Sequence, residues 1–373
     1  MNEMQAIGPL WRSLHASGED YVLATILAVE GSGYRKAGAR MIVAPDGQRS
    51  GTISGGCLEA EVAKKAFWHT ENGPAIRTYS THAEDGDVPF GMGCGGVVHI
   101  LLERRPTAEP LLQAMEQAFR DRLAMSVVTG THGKHMAEHQ WRVQGAALTG
   151  TSPADQVETL ASLTQEAFLD RRSRLAENTF VEWMPPRTGL LIVGAGNDTQ
   201  PLARMAHELG WHVTVLDGRS HLATQERFPQ ADAVMTTNES VWHRLLLRPT
   251  DVATLMSHSL EQDTQALRVL LHRNLAYLGV LGPRSRTAEI VEKLAAEAEP
   301  DSQDAARRLA LQWMDRIHAP MGLDLGGDGA ASVALSIVAE IQRELQQHTG
   351  LPLRDLRRRM DTHASAKSLS TAG

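Results

Sequence analysis

The sequence predicts an α/β protein in which an N-terminal α+β domain precedes a Rossmann-like, doubly wound domain built on a parallel sheet. Three observations carry that prediction. Leu190, Leu191, Ile192 and Val193 form a continuous apolar run, the pattern of a parallel strand buried on both faces. Gly194-Ala195-Gly196 follows at once and leads into a helix with apolar residues at Leu202, Met205, Ala206 and Leu209. Strand and helix patterns then alternate to about residue 347, whereas the first half of the chain mixes them without such a rhythm.

Length and composition set the bounds. A chain of 373 residues is long enough for two cores, and Met184-Pro185-Pro186-Arg187 is the natural break, because paired prolines cannot continue a strand ladder. The expected division is 1–186, 187–347 and a flexible tail over 348–373. A formal net charge of −7 with no long basic tract argues against a nucleic-acid binder. Two cysteines make no disulfide framework, so a reducing, cytoplasmic setting is expected. The sequence shows neither a secretory leader nor an apolar run of membrane-spanning length.

Taken in order, residues 3–17 read as an amphipathic helix with Met4, Ile7, Leu10, Trp11 and Leu14 on one face. Residues 21–29 read as a strand, followed by a loop that carries Gly31, Gly33 and Gly38 with Arg35, Lys36 and Arg40. Such a loop can bind an anion or simply expose solvated charge. Strands follow at 41–44 and 49–54, joined by the turn Pro45-Asp46-Gly47. Ser54-Gly55-Gly56-Cys57 then opens a helix over 58–68, so Cys57 stands where a helix dipole favours a thiolate. Cys94, 37 residues on, lies in the similar run Gly91-Met92-Gly93-Cys94-Gly95-Gly96, just before a strand at 97–102. A buried cysteine beside a tight turn accounts for either site alone. The pairing of two glycine-flanked cysteines points to a functional thiol at Cys57 or Cys94.

Residues 111–119 read as a helix, 124–129 as a strand and 141–143 as its hairpin partner. His132, His135 and His139 fall between them at spacings that zinc sites use; a polar surface loop is the reading preferred. Residues 153–175 read as helix and 180–183 as strand. In the second half, Val213, Val215 and Leu216 form a strand ending on Asp217, which lies 21 residues after Gly196, where such folds place an acid for ribose hydroxyls. Thr199 stands at the third small position of the fingerprint, and Asp198 adds a negative charge near the expected phosphate. Further strands are expected near 232–235, 252–256 and 276–281, with helices near 261–271, 284–298 and 330–345. His258 and Asp263 follow one strand end, Arg284 and Arg286 follow another, and Met321 to Gly327 make a third glycine-rich loop.

Together the blocks GSGYRKAGARM (31–41), GTISGGCLE (51–59), GMGCGG (91–96), YLGVLGPRSR (277–286) and HAPMGLDLGG (318–327), with the Rossmann start, resemble the XdhC/CoxI family of accessory proteins of xanthine dehydrogenase and related molybdenum hydroxylases. The resemblance implies a non-catalytic chaperone that binds and protects matured molybdenum cofactor, a molybdopterin whose cytosine dinucleotide form is one candidate. It further implies delivery to an apo-hydroxylase client, a cysteine desulfurase as second partner for sulfuration, and a homodimer. The cofactor-binding residues implied are Gly194, Gly196 and Asp217, Gly55, Gly56, Cys57 and Cys94, and Arg284 with Arg286; no catalytic residue and no resident metal site is expected. The alternative function is an NAD(P)-dependent oxidoreductase using the same Rossmann edge, with His258 and Asp263 for proton transfer.

Overall fold

The computed structural model describes residues 3–31, 34–80, 96–151 and 157–356, and the chain divides into two compact units, Met1–Arg187 and Thr188–Gly373. Cys94 and the tail from 357 onward lie outside the described residues.

The first unit is built on two five-stranded antiparallel sheets. One has the order β3-β2-β1-β5-β4, with β1 Val22–Glu30, β2 Arg40–Val43, β3 Arg49–Gly51, β4 Ala75–Ser80 and β5 Val97–Arg104. The other has the order β8-β7-β6-β10-β9, with β6 Met125–Gly130, β7 His139–Val143, β8 Leu148–Gly150, β9 Arg174–Ala176 and β10 Thr179–Met184. Alternation along β1 decides the packing. Val22, Ala24 and Ile26 face α2 (Cys57–His69) through Leu58, Val62 and Ala66. Leu23 faces the other way, toward α1 (Glu3–Ser17) and α3 (Arg105–Arg120), which supply Met4, Ile7, Trp11, Leu111 and Met115. Leu27, beside a register shift between Ile26 and Ala28, packs onto Leu101, Ala137 and Phe180, which joins the two sheets. α4 (Val157–Asp170) covers the outer face of the second sheet through Leu160 and Ala167 against Val128 and Val181.

Two polar links cross between these sheets. Arg40, buried at the head of β2, donates to both carboxylate oxygens of Glu182 on β10, at 2.9 and 2.6 Å. His139 on β7 lies 2.9 Å from Glu103 on β5, both 1 % exposed. Each is a long-range pair fixed by strand register, and each corrects an expectation. Arg40 is committed to the core and cannot neutralise an external phosphate. His139 belongs to the interior and not to a surface hairpin loop.

The second unit carries a five-stranded parallel sheet of order β13-β12-β11-β14-β15. Its strands are β11 Gly189–Val193, β12 His212–Asp217, β13 Ala233–Thr236, β14 Val252–Leu255 and β15 Tyr277–Val280. This is the 3-2-1-4-5 arrangement of a doubly wound fold, with its switch point between β11 and β14. Period-two alternation divides the strands between two cores. Leu190, Ile192, Val213 and Val215 pack with α5 (Thr199–Glu208) and α10 (Ala330–Gln346). Leu191, Val193, Leu216 and Leu255 pack with α6 (Glu239–Arg244), α7 (Leu260–Leu270), α8 (Arg284–Ala298) and α9 (Gln303–Met314). His318 makes a parallel bridge to Gly279 and extends the sheet by one residue where a sixth strand would lie. Among the described residues no helix is long and apolar enough to cross a membrane.

Candidate functional site

In open α/β sheets ligands meet the carboxyl ends of the strands at the switch point, and the loops there are the ones the sequence singles out. Gly194 leaves β11 at φ +117°, and a Cβ on it would stand 2.5 Å from the carbonyl carbon of Met256 and 2.7 Å from the nitrogen of Ser257. Glycine is required there by the approach of β14's end, whatever binds above. At Gly196 a Cβ would meet an Asp198 carboxylate oxygen at 2.4 Å, so the acid folds back over the turn. Asp198 also lies 2.8 Å from Nε2 of His258, which leaves β14 with φ +55° and is largely exposed. The pair therefore spans the switch point from one side to the other.

Asp217 closes β12, the position the sequence assigns it, and its carboxylate is engaged within the chain. Its side chain is 0 % exposed. One oxygen accepts from the backbone N–H of Ala195 at 2.7 Å and from Nη2 of Arg219 at 2.7 Å. The other accepts from the backbone N–H and Nε of Arg219, at 2.8 and 2.9 Å. Burial would raise its pKa, but these bonds from Arg219 and Ala195 outweigh it and hold the carboxyl below the usual aspartate range. An acid held in this way positions the glycine turn, and its acceptor positions are taken by Ala195 and Arg219. The exposed charge beside it is Arg219, which the sequence motifs do not single out, although Asp-Gly-Arg at a strand end is the available signal. Arg227 joins it, with Nη2 donating to the Ala195 carbonyl at 3.1 Å and to Asn197 at 3.0 Å.

Across the switch point, Asp263 on α7 accepts from Nη2 of Arg286 at 2.6 Å and from the Ser257 hydroxyl at 2.5 Å. Burial raises the Asp263 pKa, with Ser257, Arg286 and His258 working against it. Arg286 is thus engaged inward, while Arg284 is exposed on the first turn of α8 with no ion pair among the described residues. The loop before α10 is held from within. Glu340 accepts from the Tyr277 hydroxyl at 2.6 Å and the Gly322 N–H at 2.7 Å, with His318 at 3.5 Å.

In the first unit, Gly56 caps α2 at φ +125° and Cys57 opens the helix; the Cys57 side chain lies outside the described residues. Glu59 organises this turn. Its carboxylate accepts from the N–H groups of Ile53, Ser54 and Gly56 at 3.1, 2.7 and 2.9 Å, and from the Ser54 hydroxyl. Burial works to raise the Glu59 pKa, and the Ser54 and backbone donors overcome it and keep the group ionised. A Cβ at Gly55 or Gly56 would meet nothing within 4 Å among the described residues. The three histidines do not converge: His132 turns to Thr131, His135 to Glu138 and His139 to Glu103. Among the described residues no cluster of three or more His, Cys, Asp or Glu has metal-site geometry.

The second unit is thus a Rossmann-type domain with an arginine-rimmed edge, and the first is an α+β module with a glycine-lined helix start. Comparison with known proteins defines them further. The family model "XdhC and CoxI family" matches residues 14–80, and the model "XdhC Rossmann domain" matches residues 190–341. The chain is 30 % identical over 327 residues to a Bacillus subtilis (strain 168) protein named as a probable xanthine dehydrogenase subunit, covering 87 % of this chain and 92 % of that one. It is 24 % identical to the molybdenum cofactor insertion chaperone PaoD of Escherichia coli (strain K12), over 87 % of this chain and 83 % of that one. A crystal structure described as a xanthine dehydrogenase from Bacillus halodurans matches with a TM-score of 0.73 and 26 % identity, over 92 % of this chain and 97 % of that one. The protein belongs to the XdhC and CoxI family.

Proposed function

We propose that this protein binds and protects matured molybdenum cofactor and assists its insertion into a xanthine dehydrogenase-type molybdenum hydroxylase, as a chaperone and not a catalyst. The observation that carries the reading is the kinship, over most of both chains, with a relative named for molybdenum cofactor insertion. The site chemistry agrees. Arg219, Arg227 and Arg284 offer guanidinium groups to an anionic ligand at the Rossmann edge, beside a turn made possible by Gly194 and Gly196. Gly55 and Gly56 leave backbone accessible at the start of α2, where Cys57, with Cys94, would offer soft sulfur toward a molybdenum centre. When bound, the cofactor supplies a phosphate ester and a dithiolene-held metal; the residues named bind, orient and shield it. The proposal extends to a cytoplasmic homodimer, a hydroxylase client and a cysteine desulfurase partner.

The test is to purify the full chain under anoxic, reducing conditions and release its ligand by denaturation. A pterin in the released fraction that reconstitutes an apo-hydroxylase is the expected result, with retention falling when Cys57 and Cys94 are both replaced by alanine. The alternative is an NAD(P)-dependent oxidoreductase that would use His258 with Asp263 for proton transfer. Saturable NADH binding with hydride turnover, and no pterin, would establish that reading instead.

A further inference from the structure

The end of β12 is where a Rossmann domain ordinarily reads the ribose of its ligand, through a carboxylate that accepts from the 2′- and 3′-hydroxyls. Here that carboxylate is fully covered, and its four acceptor positions are filled by Ala195 and Arg219. What faces outward is cationic. Arg219 commits Nε and one Nη2 hydrogen to Asp217, and its remaining N–H groups have no acceptor among the described residues. Its side chain is 43 % exposed. Arg227 lies on the same turn, since its guanidinium holds the Ala195 carbonyl while Asp217 holds the Ala195 N–H. Arg227 has no carboxylate partner among the described residues, and its buried Nε has no acceptor. The acid within electrostatic reach of Arg219, besides Asp217, is Asp198, and that acid is itself tied to His258.

We infer that the crevice reads a phosphate group at this position, through Arg219 and Arg227, in place of a ribose diol through Asp217. The inference rests on the cofactor-binding reading above and narrows it. The preferred ligand presents a phosphomonoester at the end of β12, and a nucleotide half whose only recognition group there is a free diol is a poor fit. Arg219 keeps Nη1 and one Nη2 hydrogen, and Arg227 keeps Nη1, for phosphate oxygens in charge-assisted bonds, whereas neutral ribose hydroxyls would accept from them without that charge gain and would find no carboxylate to donate to.

The experiment measures binding of 2′,5′-ADP and 5′-AMP to the full-length protein by calorimetry, two probes that differ by the 2′-phosphate. The expected result is that 2′,5′-ADP binds about tenfold tighter at low salt, with the advantage shrinking as ionic strength rises. Arg219→Gln should bring the ratio close to one, and Arg219→Lys should keep part of it. Because losing Arg219 strands a buried Asp217, Arg227→Gln provides a second variant that breaks no ion pair among the described residues; it should weaken 2′,5′-ADP more than 5′-AMP and so lower their ratio. Thermal melts of each variant report folding. Equal affinity for the two probes, absence of saturable 2′,5′-ADP binding, or a preference that survives Arg219→Gln in a folded protein overturns the inference. Its failure leaves pterin retention and client activation untouched, and their failure leaves the probe preference standing.

Discussion

The carboxylate of Asp217 accepts the backbone N–H of Ala195 at 2.7 Å, so the last residue of β12 holds the middle of the glycine turn that follows β11. With Arg219 completing its shell, Asp217 is a structural anion beside the glycine turn. Replacing it by asparagine keeps the shape but removes the charge that Arg219 and Ala195 share, and sets an amide N–H against donors. The expected loss is about 2–4 kcal/mol of unfolding free energy, the range for breaking a buried ion pair from one side. Denaturant unfolding of Asp217→Asn measures it. Stability equal to the parent would mean that the acid is free to serve a ligand after all.

Two glycines predict opposite outcomes. Gly194→Ala places a Cβ 2.5 Å from the Met256 carbonyl at a φ of +117°, so β11 and β14 must separate; a loss of roughly 3 kcal/mol or more, or failure to fold, is expected. Gly55→Ala meets nothing within 4 Å among the described residues and has no positive φ, so stability should shift by less than about 0.5 kcal/mol. Retention of cofactor by Gly55→Ala should nevertheless fall if the proposed site includes this backbone, because the methyl would stand over it. Parallel melts and pterin quantification separate the two effects. A stable, fully loaded Gly55→Ala protein would remove this residue from the binding surface.

The βαβ start at 190–217 is legible in the sequence because its signals are local: an apolar run, a glycine turn, a helical period and a closing acid within one window. The roles of its polar residues are not. Whether Asp217 faces a ligand or its own neighbour Arg219 depends on side-chain burial, which spacing does not encode. Arg40 and His139 depart from expectation for a related reason, since their partners Glu182 and Glu103 lie 142 and 36 residues away and only strand register brings them together. The strand Ala75–Ser80 escapes sequence reasoning because AIRTYS has no clear alternation and is stabilised by pairing with β5. The three-residue strands β8 and β9 are too short to carry any period.

The buried pair Arg40 and Glu182 gives a test of how the two sheets of the first unit are joined. Arg40→Met alone leaves Glu182 charged and 5 % exposed beside Gly38, and should cost about 3–5 kcal/mol. Arg40→Met combined with Glu182→Leu removes both charges and should recover most of that loss. A double-mutant cycle from urea unfolding gives the coupling directly. Equal destabilisation by the single and double variants would indicate that packing volume, and not the charge pair, decides stability at this contact.

Glu340 predicts how stability depends on pH. Burial alone would raise its pKa, but His318, the Tyr277 hydroxyl and the Gly322 N–H together bring it from the ordinary 4.5 down to about 2. A carboxyl whose folded pKa is depressed contributes stability that is complete above its unfolded value and is lost as pH falls through the folded one. The Glu340 contribution should therefore be intact above about pH 5 and decline between roughly pH 4.5 and 2, by at most about 3 kcal/mol. Glu340→Gln retains an acceptor for Tyr277 and Gly322 but cannot titrate, so it should be less stable than the parent at neutral pH and converge with it in acid. Unfolding measured from pH 7 down to pH 3 for both proteins decides the matter. Parallel stability curves would show that the cluster around Glu340 holds the loop before α10 by hydrogen-bond geometry alone, with no charge contribution.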